Sequence, residues 1–179
     1  DGYCARRGTG AGALDCGCGA GGYVVGLLAA GADAYGVEFS QAKVARFRSA
    51  HPEFASRVRA GDLASLREAP ASFDAVLLNE VLEHVPSELP VLREIRRVLA
   101  PGGRLIVFAP NRLFPFETHG VRWKRSGAAL SPGVPGIPYL PLALGARCFE
   151  YPARNYWPAQ LRRLIAEAGF RILQNGTVW

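Results

Sequence analysis

The residues best suited to chemistry lie in a glycine-rich segment after the first apolar run of the chain. The segment reads Asp15-Cys16-Gly17-Cys18-Gly19-Ala20-Gly21-Gly22. Glycines let the backbone turn sharply and approach a ligand without an intervening Cβ, and the N-terminus of the following helix favours an anionic group. Because Gly17, Gly19 and Gly22 also satisfy the dinucleotide pattern G-x-G-x-x-G, the segment alone does not separate one adenosine cofactor from another.

Polar side chains stand at the ends of later predicted strands. Glu38 ends the second strand, 21 residues after Gly17, where a carboxylate can accept two hydrogen bonds from a ribose diol. Asp62 follows the third strand and Asn79 follows the fourth. Ligands of open parallel sheets bind beyond the carboxyl ends of the strands, so these residues are candidates for the cofactor site. The alternatives are that Asp62 caps a turn and that Asn79 satisfies backbone groups at the strand end.

Strand and helix patterns alternate through the first 110 residues. Strands are predicted at 13–16, 34–39, 57–60, 73–78 and 105–109, and helices at 22–30, 41–50 and around 91–99. Gly22–Ala30 is apolar on all sides, which predicts a buried helix, and Ser40 is the predicted N-cap of the second helix. This alternation is typical of an α/β fold with an open, doubly wound and mostly parallel sheet.

The regular pattern is lost over residues 111–157, which are rich in proline, glycine and aromatic side chains. A connection of this length is usually functional, and we interpret it as a lid or acceptor-binding insertion. The pattern returns with a helix from Pro158, a stop at Gly169 and a strand over Phe170–Leu173. The predicted organisation is a single domain, 1–179, made of a cofactor-binding core at 13–110, the insertion at 111–157 and a final helix and strand at 158–179.

Four motifs in a fixed order carry a resemblance to a known family. Asp15–Gly21 matches D-x-G-x-G-x-G, and the others are Gly61-Asp62-Leu63, Glu80-Val81-Leu82-Glu83-His84-Val85 and Leu99–Leu105. With this set the chain resembles class I S-adenosylmethionine-dependent methyltransferases. The segment Glu80–Val85 resembles their small-molecule (type 11) branch, which includes ubiquinone and menaquinone biosynthesis enzymes. The resemblance covers about residues 13–110 closely and implies a Rossmann-like fold with S-adenosyl-L-methionine as the cofactor.

The resemblance implies a role for each matching residue. Gly17 and Gly19 would lie against the methionine portion of the cofactor, in a turn organised by Asp15. Glu38 would hold the ribose hydroxyls, and Asn79 would lie near the methyl group. Adenine would meet the Asp62 carboxylate through its amino group and the Leu63 backbone through its ring edge. The implied cofactor-binding set is Asp15, Gly17, Gly19, Gly21, Glu38, Asp62, Leu63 and Asn79.

Two histidines are candidates for catalysis. The reaction implied by the resemblance is a displacement in which an acceptor nucleophile attacks the sulfonium methyl group, and a hydroxyl nucleophile gains from a general base. Histidine titrates near neutrality, which points to His84 and His119. His84 is equally well explained as a residue hydrogen-bonded at a helix start. We prefer His119, which follows the fifth strand on the expected ligand side.

The cysteines and acids do not predict a metal site. Cys16 and Cys18 have only C-x-C spacing, with no second cysteine pair and no nearby histidine, which disfavours zinc. No set of aspartate and histidine residues clusters near the predicted strand ends. We expect these cysteines, together with Cys4 and Cys148, to be reduced thiols in a cytoplasmic protein.

The net charge of +6 lies entirely in the last third of the chain. Residues 1–110 carry 12 basic and 12 acidic side chains, whereas residues 111–179 carry 9 and 3. Arginines interleaved with aromatics can bind nucleic acid or line a pocket for a small acceptor. The absence of an Asn-Pro-Pro-Tyr-like motif and of a dense lysine run favours the small molecule over nucleic acid.

Length and composition fit a globular domain, since 179 residues with 49% hydrophobic side chains can bury a core. No apolar stretch approaches the roughly 18 residues of a membrane span. The chain contains no methionine. Relatives of the resembled family carry helices before the first strand and end on a seventh, antiparallel strand. We therefore expect a longer native protein, and we expect that this piece lacks both the helices before the first strand and the last antiparallel strand.

The predicted function is S-adenosylmethionine-dependent methyl transfer to a small-molecule acceptor, favouring a hydroxyl of a sugar, polyketide or quinone-like compound. The first alternative is an NAD(P)-binding oxidoreductase, which the glycine pattern allows although the chain has no Tyr-x-x-x-Lys pair. The second is a domain that binds the cofactor without catalysing transfer.

Overall fold

The computed structural model describes residues 12–115, 119–130, 134–140 and 142–177. Contacts between Cα atoms divide the chain into two compact units. The first unit comprises the chain up to Val81 together with Ser87–Phe108, and the second comprises Leu82–Pro86 together with the chain from Ala109. Each unit is described separately below.

The first unit is built on a sheet of five parallel strands. The strands are β1 (Gly12–Cys16), β2 (Asp33–Glu38), β3 (Val58–Ala60), β4 (Phe73–Asn79) and β5 (Leu99–Phe108). Their spatial order is β3-β2-β1-β4-β5, with every neighbouring pair parallel. The order reverses between β1 and β4, which is the switch point at which doubly wound sheets bind ligands. The predicted fold class is confirmed.

Three α-helices and a short 3₁₀ helix connect these strands. They are α1 (Gly22–Ala29), α2 (Gln41–Ala50), the 3₁₀ helix Pro52–Arg57 and α3 (Glu88–Val98). Ser40 caps α2 as predicted, because its hydroxyl accepts a hydrogen bond from the Lys43 backbone at 3.4 Å. The helix spacing predicted around 91–99 is also confirmed, since α3 buries Val91, Leu92, Ile95 and Val98.

Two local predictions in the first unit need correction. Helix α1 is not buried on all sides: within it only Val24 is buried, and Tyr23 is 54% exposed. An eight-residue helix lying on a sheet turns one side to it, so apolar composition alone does not report burial. The segment Ala100–Gly103 ends α3 as expected but belongs to β5, where the pairing with β4 skips from Leu99 to Arg104.

The second unit contains a small antiparallel sheet. Its strands are β6 (Val121–Trp123), β7 (Ala129–Leu130) and β8 (Phe149–Glu150), in the order β7-β6-β8. A 3₁₀ helix (Ile137–Tyr139), α4 (Leu142–Cys148) and α5 (Pro158–Glu167) complete the described elements. The sequence pattern did not show these strands, because two or three residues are too few to display a period.

The end of the described chain differs from its prediction. Helix α5 begins at Pro158, and Gly169 follows with φ +87° as the expected stop. The predicted strand Phe170–Leu173 is wrong, since residues 170–177 form neither helix nor strand and Leu173 is 56% exposed. Apolar residues become a strand only when a neighbouring strand pairs with them. Among the described residues, none of the helices combines the length and apolarity that crossing a membrane requires.

Candidate functional site

The glycine turn has the geometry that the sequence predicts. Gly17, Gly19 and Gly21 all have positive φ, between 56° and 78°. A Cβ at Gly17 would overlap the Val81 side chain, and one at Gly21 would overlap the Phe47 ring. A Cβ at Gly19 would meet no atom within 4 Å. The outer turn of the loop therefore offers open space, as a cradle for a ligand requires.

Glu38 ties the end of β2 to this turn. Its side chain is almost fully buried, and Oε2 accepts a hydrogen bond from Gly19 N at 2.9 Å. Oε1 accepts from Ser40 N at 2.9 Å and lies 3.8 Å from Lys43 Nζ. Because a carboxylate has about four acceptor positions, these contacts leave capacity for a ribose hydroxyl.

Asp15 is a buried acid one residue before the end of β1. It is 2% exposed, and its Oδ2 has no hydrogen-bond partner among the described residues. Burial, assisted by the charge of Glu38, raises the pKa of Asp15 to about 6. A buried acceptor beside an open glycine turn fits a ligand that carries hydrogen-bond donors, as S-adenosylmethionine does.

The loop after β3 places Asp62 and Leu63 next to the end of β2. Gly61 N donates to the Glu38 backbone oxygen at 3.0 Å. Leu63 is buried, whereas Asp62 is exposed and its Oδ1 accepts from Ala64 N at 2.9 Å. The turn-capping alternative for Asp62 is thus observed. Its second carboxylate oxygen keeps the capacity to accept from an adenine amino group.

Asn79 ends β4 at the same edge of the sheet. Its Nδ2 lies 3.4 Å from the hydroxyl of Tyr23 in α1. The next residue, Glu80, has φ +52°, a conformation that residues other than glycine adopt rarely and that is frequent at functional sites. The sequence analysis placed Glu80 in a motif but assigned no role to it or to Tyr23, since neither a positive φ nor a contact across 56 residues leaves a local pattern.

The two predicted histidines meet in the second unit around a carboxylate that the sequence analysis left without a role. His84 Nε2 lies 3.7 Å and His119 Nε2 lies 3.9 Å from the same oxygen, Oε1 of Glu83. The imidazole rings are 5.2 Å apart and nearly perpendicular. The Glu83 side chain is fully buried, whereas His84 is 46% and His119 23% exposed. We call Glu83, His84 and His119 the Glu-His cluster.

Hydrogen bonds hold the backbone that carries Glu83 and His84. Tyr156, itself buried, donates from its hydroxyl to Leu82 O at 2.9 Å. Arg154 donates from its backbone to Glu83 O at 3.2 Å and from its guanidinium to Val85 O at 2.6 Å. The segment Leu82–Pro86 is therefore fixed by residues about 70 positions away.

The expectation of no metal rested on a premise that the structure overturns. The Glu-His cluster is a set of one acid and two histidines whose ligand atoms lie within 4.8 Å of one another. Imidazole nitrogen and carboxylate oxygen are ordinary ligands of divalent metals. The sequence could not show this set, because His119 lies 35 residues after His84.

A cleft of about 650 Å³ opens beside His119 in the second unit. Polar side chains from Arg122, Glu150 and Tyr151 share its wall with apolar ones, which include Val121, Leu130 and Pro152. Clefts of this size bind small molecules, and mixed walls suit ligands that combine rings with hydroxyl groups.

Comparison with known proteins identifies the family. A family model described as a methyltransferase domain matches residues 14–107. The chain is 37% identical over 110 residues to a protein of Mycolicibacterium smegmatis named as a probable S-adenosylmethionine-dependent methyltransferase, covering 61% of this chain and 42% of that protein. It is 37% identical over 106 residues to a ubiquinone biosynthesis O-methyltransferase of Xanthomonas campestris, covering 58% and 44%.

Solved structures share the fold. An S-adenosylmethionine-dependent methyltransferase from Mesorhizobium loti has a TM-score of 0.66 at 20% identity, covering 92% of this chain and 76% of that one. Geranyl diphosphate C-methyltransferase from Streptomyces coelicolor, solved with Mg²⁺, geranyl diphosphate and S-adenosyl-L-homocysteine, has a TM-score of 0.60 at 19% identity, covering 93% and 57%.

The chain belongs to the S-adenosylmethionine-dependent methyltransferase family, because the family model matches more than half of it. The predicted family and its cofactor, S-adenosyl-L-methionine, are confirmed. The chain spans less than half the length of the two curated relatives given above.

Proposed function

We propose that this protein transfers the methyl group of S-adenosylmethionine to a hydroxyl group of a small molecule bound in the cleft of the second unit. The observation that carries the proposal is His119, which forms part of the cleft wall and of the Glu-His cluster. A hydroxyl placed in the cleft would thus meet a group able to promote loss of its proton.

On the cofactor side, the proposal assigns the residues at the carboxyl edge of the parallel sheet. Gly17 and Gly19 hold the methionine portion along their backbone, next to the open space at Gly19, with Gly21 completing the turn. Glu38 accepts from the ribose hydroxyls. Asp15 accepts a hydrogen bond on the buried side of the turn. Asp62 and Leu63 contact adenine, and Asn79 lies near the methyl group.

The reaction is a single displacement. The acceptor oxygen forms a bond to the methyl carbon while the carbon–sulfur bond breaks, and the electron pair of that bond stays on sulfur. Sulfonium becomes a neutral thioether, and the acceptor proton is lost. Holding oxygen and methyl in line at close range supplies much of the rate enhancement in reactions of this kind. We assign proton removal to the Glu-His cluster, with His119 nearest to the acceptor and His84 second.

The composition of the cleft wall and the names of the relatives support the proposed acceptor class. The wall combines Arg122, Glu150 and Tyr151 with an apolar surface, which suits a hydroxylated ring such as a sugar, a polyketide or a quinone-like phenol. The name of the Xanthomonas relative favours the phenol among these. A protein that binds the cofactor without turnover is the competing function.

The first test is cofactor binding. Calorimetry with S-adenosylmethionine, S-adenosylhomocysteine and NAD should give binding to the first two and none to NAD. Binding of NAD, with no binding of S-adenosylmethionine or S-adenosylhomocysteine, would contradict the proposal. Binding of S-adenosylhomocysteine without turnover on a broad panel of hydroxylated acceptors would favour the competing function.

The second test compares two histidines of the chain, one in the Glu-His cluster and one outside it. His119→Ala should reduce turnover at least about 100-fold, the usual contribution of a positioned acid–base group, with unchanged affinity for S-adenosylhomocysteine. The matched control is His51→Ala, which removes a histidine of the first unit that contacts Phe47 and Glu53. An unchanged rate in His119→Ala would remove His119 from the mechanism.

A further inference from the structure

We infer that Glu83, His84 and His119 form a binding site for one divalent transition-metal ion, of the class Mn²⁺, Fe²⁺, Co²⁺ or Zn²⁺. The existence of the site is independent of the proposed function, but its role in the reaction rests on it. Two imidazole nitrogens and one carboxylate oxygen favour these ions over Mg²⁺ and Ca²⁺, which prefer oxygen ligands throughout.

The spacing of the ligand atoms fits a shared ion. Both histidine Nε2 atoms face Glu83 Oε1 at 3.7 and 3.9 Å, which is longer than a hydrogen bond. Two ligands that each lie about 2.1 Å from one ion stand roughly 3.0 to 3.4 Å apart. Side-chain movements of about 0.3 to 0.9 Å would bring both of these pairs to ligand spacing. All three ligand atoms lie within 4.8 Å of one another, so the two histidines would have to approach each other by at most about 1.4 Å to reach roughly 3.4 Å.

Burial strengthens the attraction of Glu83 for a cation. Its side chain is fully buried, and the effective dielectric constant there is lower than in water. The hydrogen bonds from Tyr156 and Arg154 to the backbone at Leu82–Pro86 fix the segment that carries two of the three ligands. Such outer contacts orient metal ligands before the ion arrives.

The third ligand connects the site to the cleft. His119 is 23% exposed and lines the cleft, so an ion can enter from that side. Three protein ligands leave at least one open position, which is the arrangement of catalytic rather than structural metal sites. An acceptor hydroxyl bound there would have its pKa lowered. When the ion is bound, the Nε2 atoms of both histidines hold it, so the acceptor proton would pass to solvent and not to His119. The resulting oxygen anion would attack the methyl carbon, and the carbon–sulfur bond would break as in the displacement described above.

The test measures Mn²⁺ binding on the full chain after treatment with EDTA and removal of the chelator. Electron paramagnetic resonance of free Mn²⁺ should show one bound ion per chain. His119→Ala and His84→Ala should each weaken this binding at least tenfold, whereas the control His51→Ala should not change it. Mn²⁺ is chosen because thiolates such as that of the exposed Cys148 prefer softer ions.

Glu83→Gln should also lose binding, but a buried substitution can impair folding. The two histidine variants replace side chains that are 46% and 23% exposed, so they carry the test if Glu83→Gln does not fold. Calorimetry with S-adenosylhomocysteine on every variant verifies that the first unit is intact. Absence of Mn²⁺ binding, or equal binding in His119→Ala and the parent chain, would overturn the inference.

Activity separates the inference from the proposed function. Methyl transfer that survives metal removal yet is lost in His119→Ala would overturn the role of the ion and leave the proposed function standing. Metal binding as expected, with no transfer to any hydroxylated acceptor, would overturn the proposed function and leave the metal site standing.

Discussion

Asp15 should make the stability of the first unit depend on pH. Burial raises its pKa from the ordinary 3.8 to about 6. Above about pH 6 the folded protein holds an ionised carboxylate inside the sheet, 2% exposed, whereas the unfolded chain holds the same charge in water. The ionised form therefore opposes folding, and Asp15→Asn removes this opposition.

The sign follows from proton binding. Well below pH 3.8 both states are protonated at this site, and well above pH 6 neither is. Between these limits the folded state binds more protons, so stability falls as the pH rises through the interval. The rise in pKa corresponds to about 3 kcal/mol, since each pKa unit is worth about 1.4 kcal/mol.

The assay compares Asp15→Asn with the parent chain by urea unfolding at pH 4.5, 6 and 7.5. Far-UV circular dichroism is the suitable signal, because the helices and strands of the first unit contribute to it directly. Relative to the parent, the variant should gain about 2 kcal/mol between pH 4.5 and 7.5. Titrating groups that do not interact with Asp15 cancel in this difference.

A difference between variant and parent that stays constant over this pH range would refute the reasoning. The control is Asp74→Asn, which changes an exposed acid of β4 that accepts a hydrogen bond from Gly12 N at 3.0 Å. It should show no comparable dependence. Asp15→Asn should also bind S-adenosylhomocysteine less tightly than the parent chain, because it changes a buried hydrogen-bond acceptor beside the glycine turn.

Three further predictions concern the framework of the site. Gly21→Ala should lower the free energy of unfolding by at least about 2 kcal/mol, since φ is +78° and the new Cβ would overlap the Phe47 ring. The control Gly26→Ala places a Cβ in open space on α1, so it should raise the free energy of unfolding by about 0.5 to 1 kcal/mol in the same denaturation assay. Glu68→Ala should cost about 3 to 5 kcal/mol, because it removes the carboxylate that balances the charge of buried Arg59 and accepts hydrogen bonds of 2.5 and 2.7 Å from it. The double variant Arg59→Met with Glu68→Leu should recover most of the loss. Iodoacetamide at pH 8 should modify exposed Cys148 at least tenfold faster than Cys18, whose pKa burial raises to about 12, and peptide mapping by mass spectrometry would show equal rates if this is wrong.

The glycine turn and the strand ends around it could be predicted from the sequence because their signals are local. The strand runs, the N-cap Ser40 and the glycine turn each occupy fewer than ten consecutive residues, and each reports one backbone conformation. Glu38 was found because it ends a recognisable strand. For Asp62 the sequence predicted the position after the third strand but left its role open between adenine binding and turn capping. The structure shows a capping hydrogen bond, which Asp62 accepts from Ala64 N.

The rest could not be predicted because it depends on contacts between distant residues. Glu83 meets His119 across 36 positions, and the segment holding Glu83 is fixed by Arg154 and Tyr156. No local period records such pairings. The same reason explains the strand wrongly predicted at Phe170–Leu173, where the apolar pattern was present but strand pairing was not.

Substitutions in the two units should change different properties, namely cofactor affinity in the first unit and acceptor preference in the second. The turn at Gly17–Gly21 and the carboxylate of Glu38 are joined by a hydrogen bond within the first unit, so changes there should alter cofactor affinity. The cleft wall at Arg122, Glu150 and Tyr151 belongs to the second unit, where neighbouring strands hold it in register. Arg122 and Glu150 are directly opposed on β6 and β8, so replacing one changes the charge balance of the wall as well as one contact. Exchanging the pair as Arg122→Glu with Glu150→Arg keeps that balance and should therefore shift acceptor preference without changing affinity for S-adenosylhomocysteine.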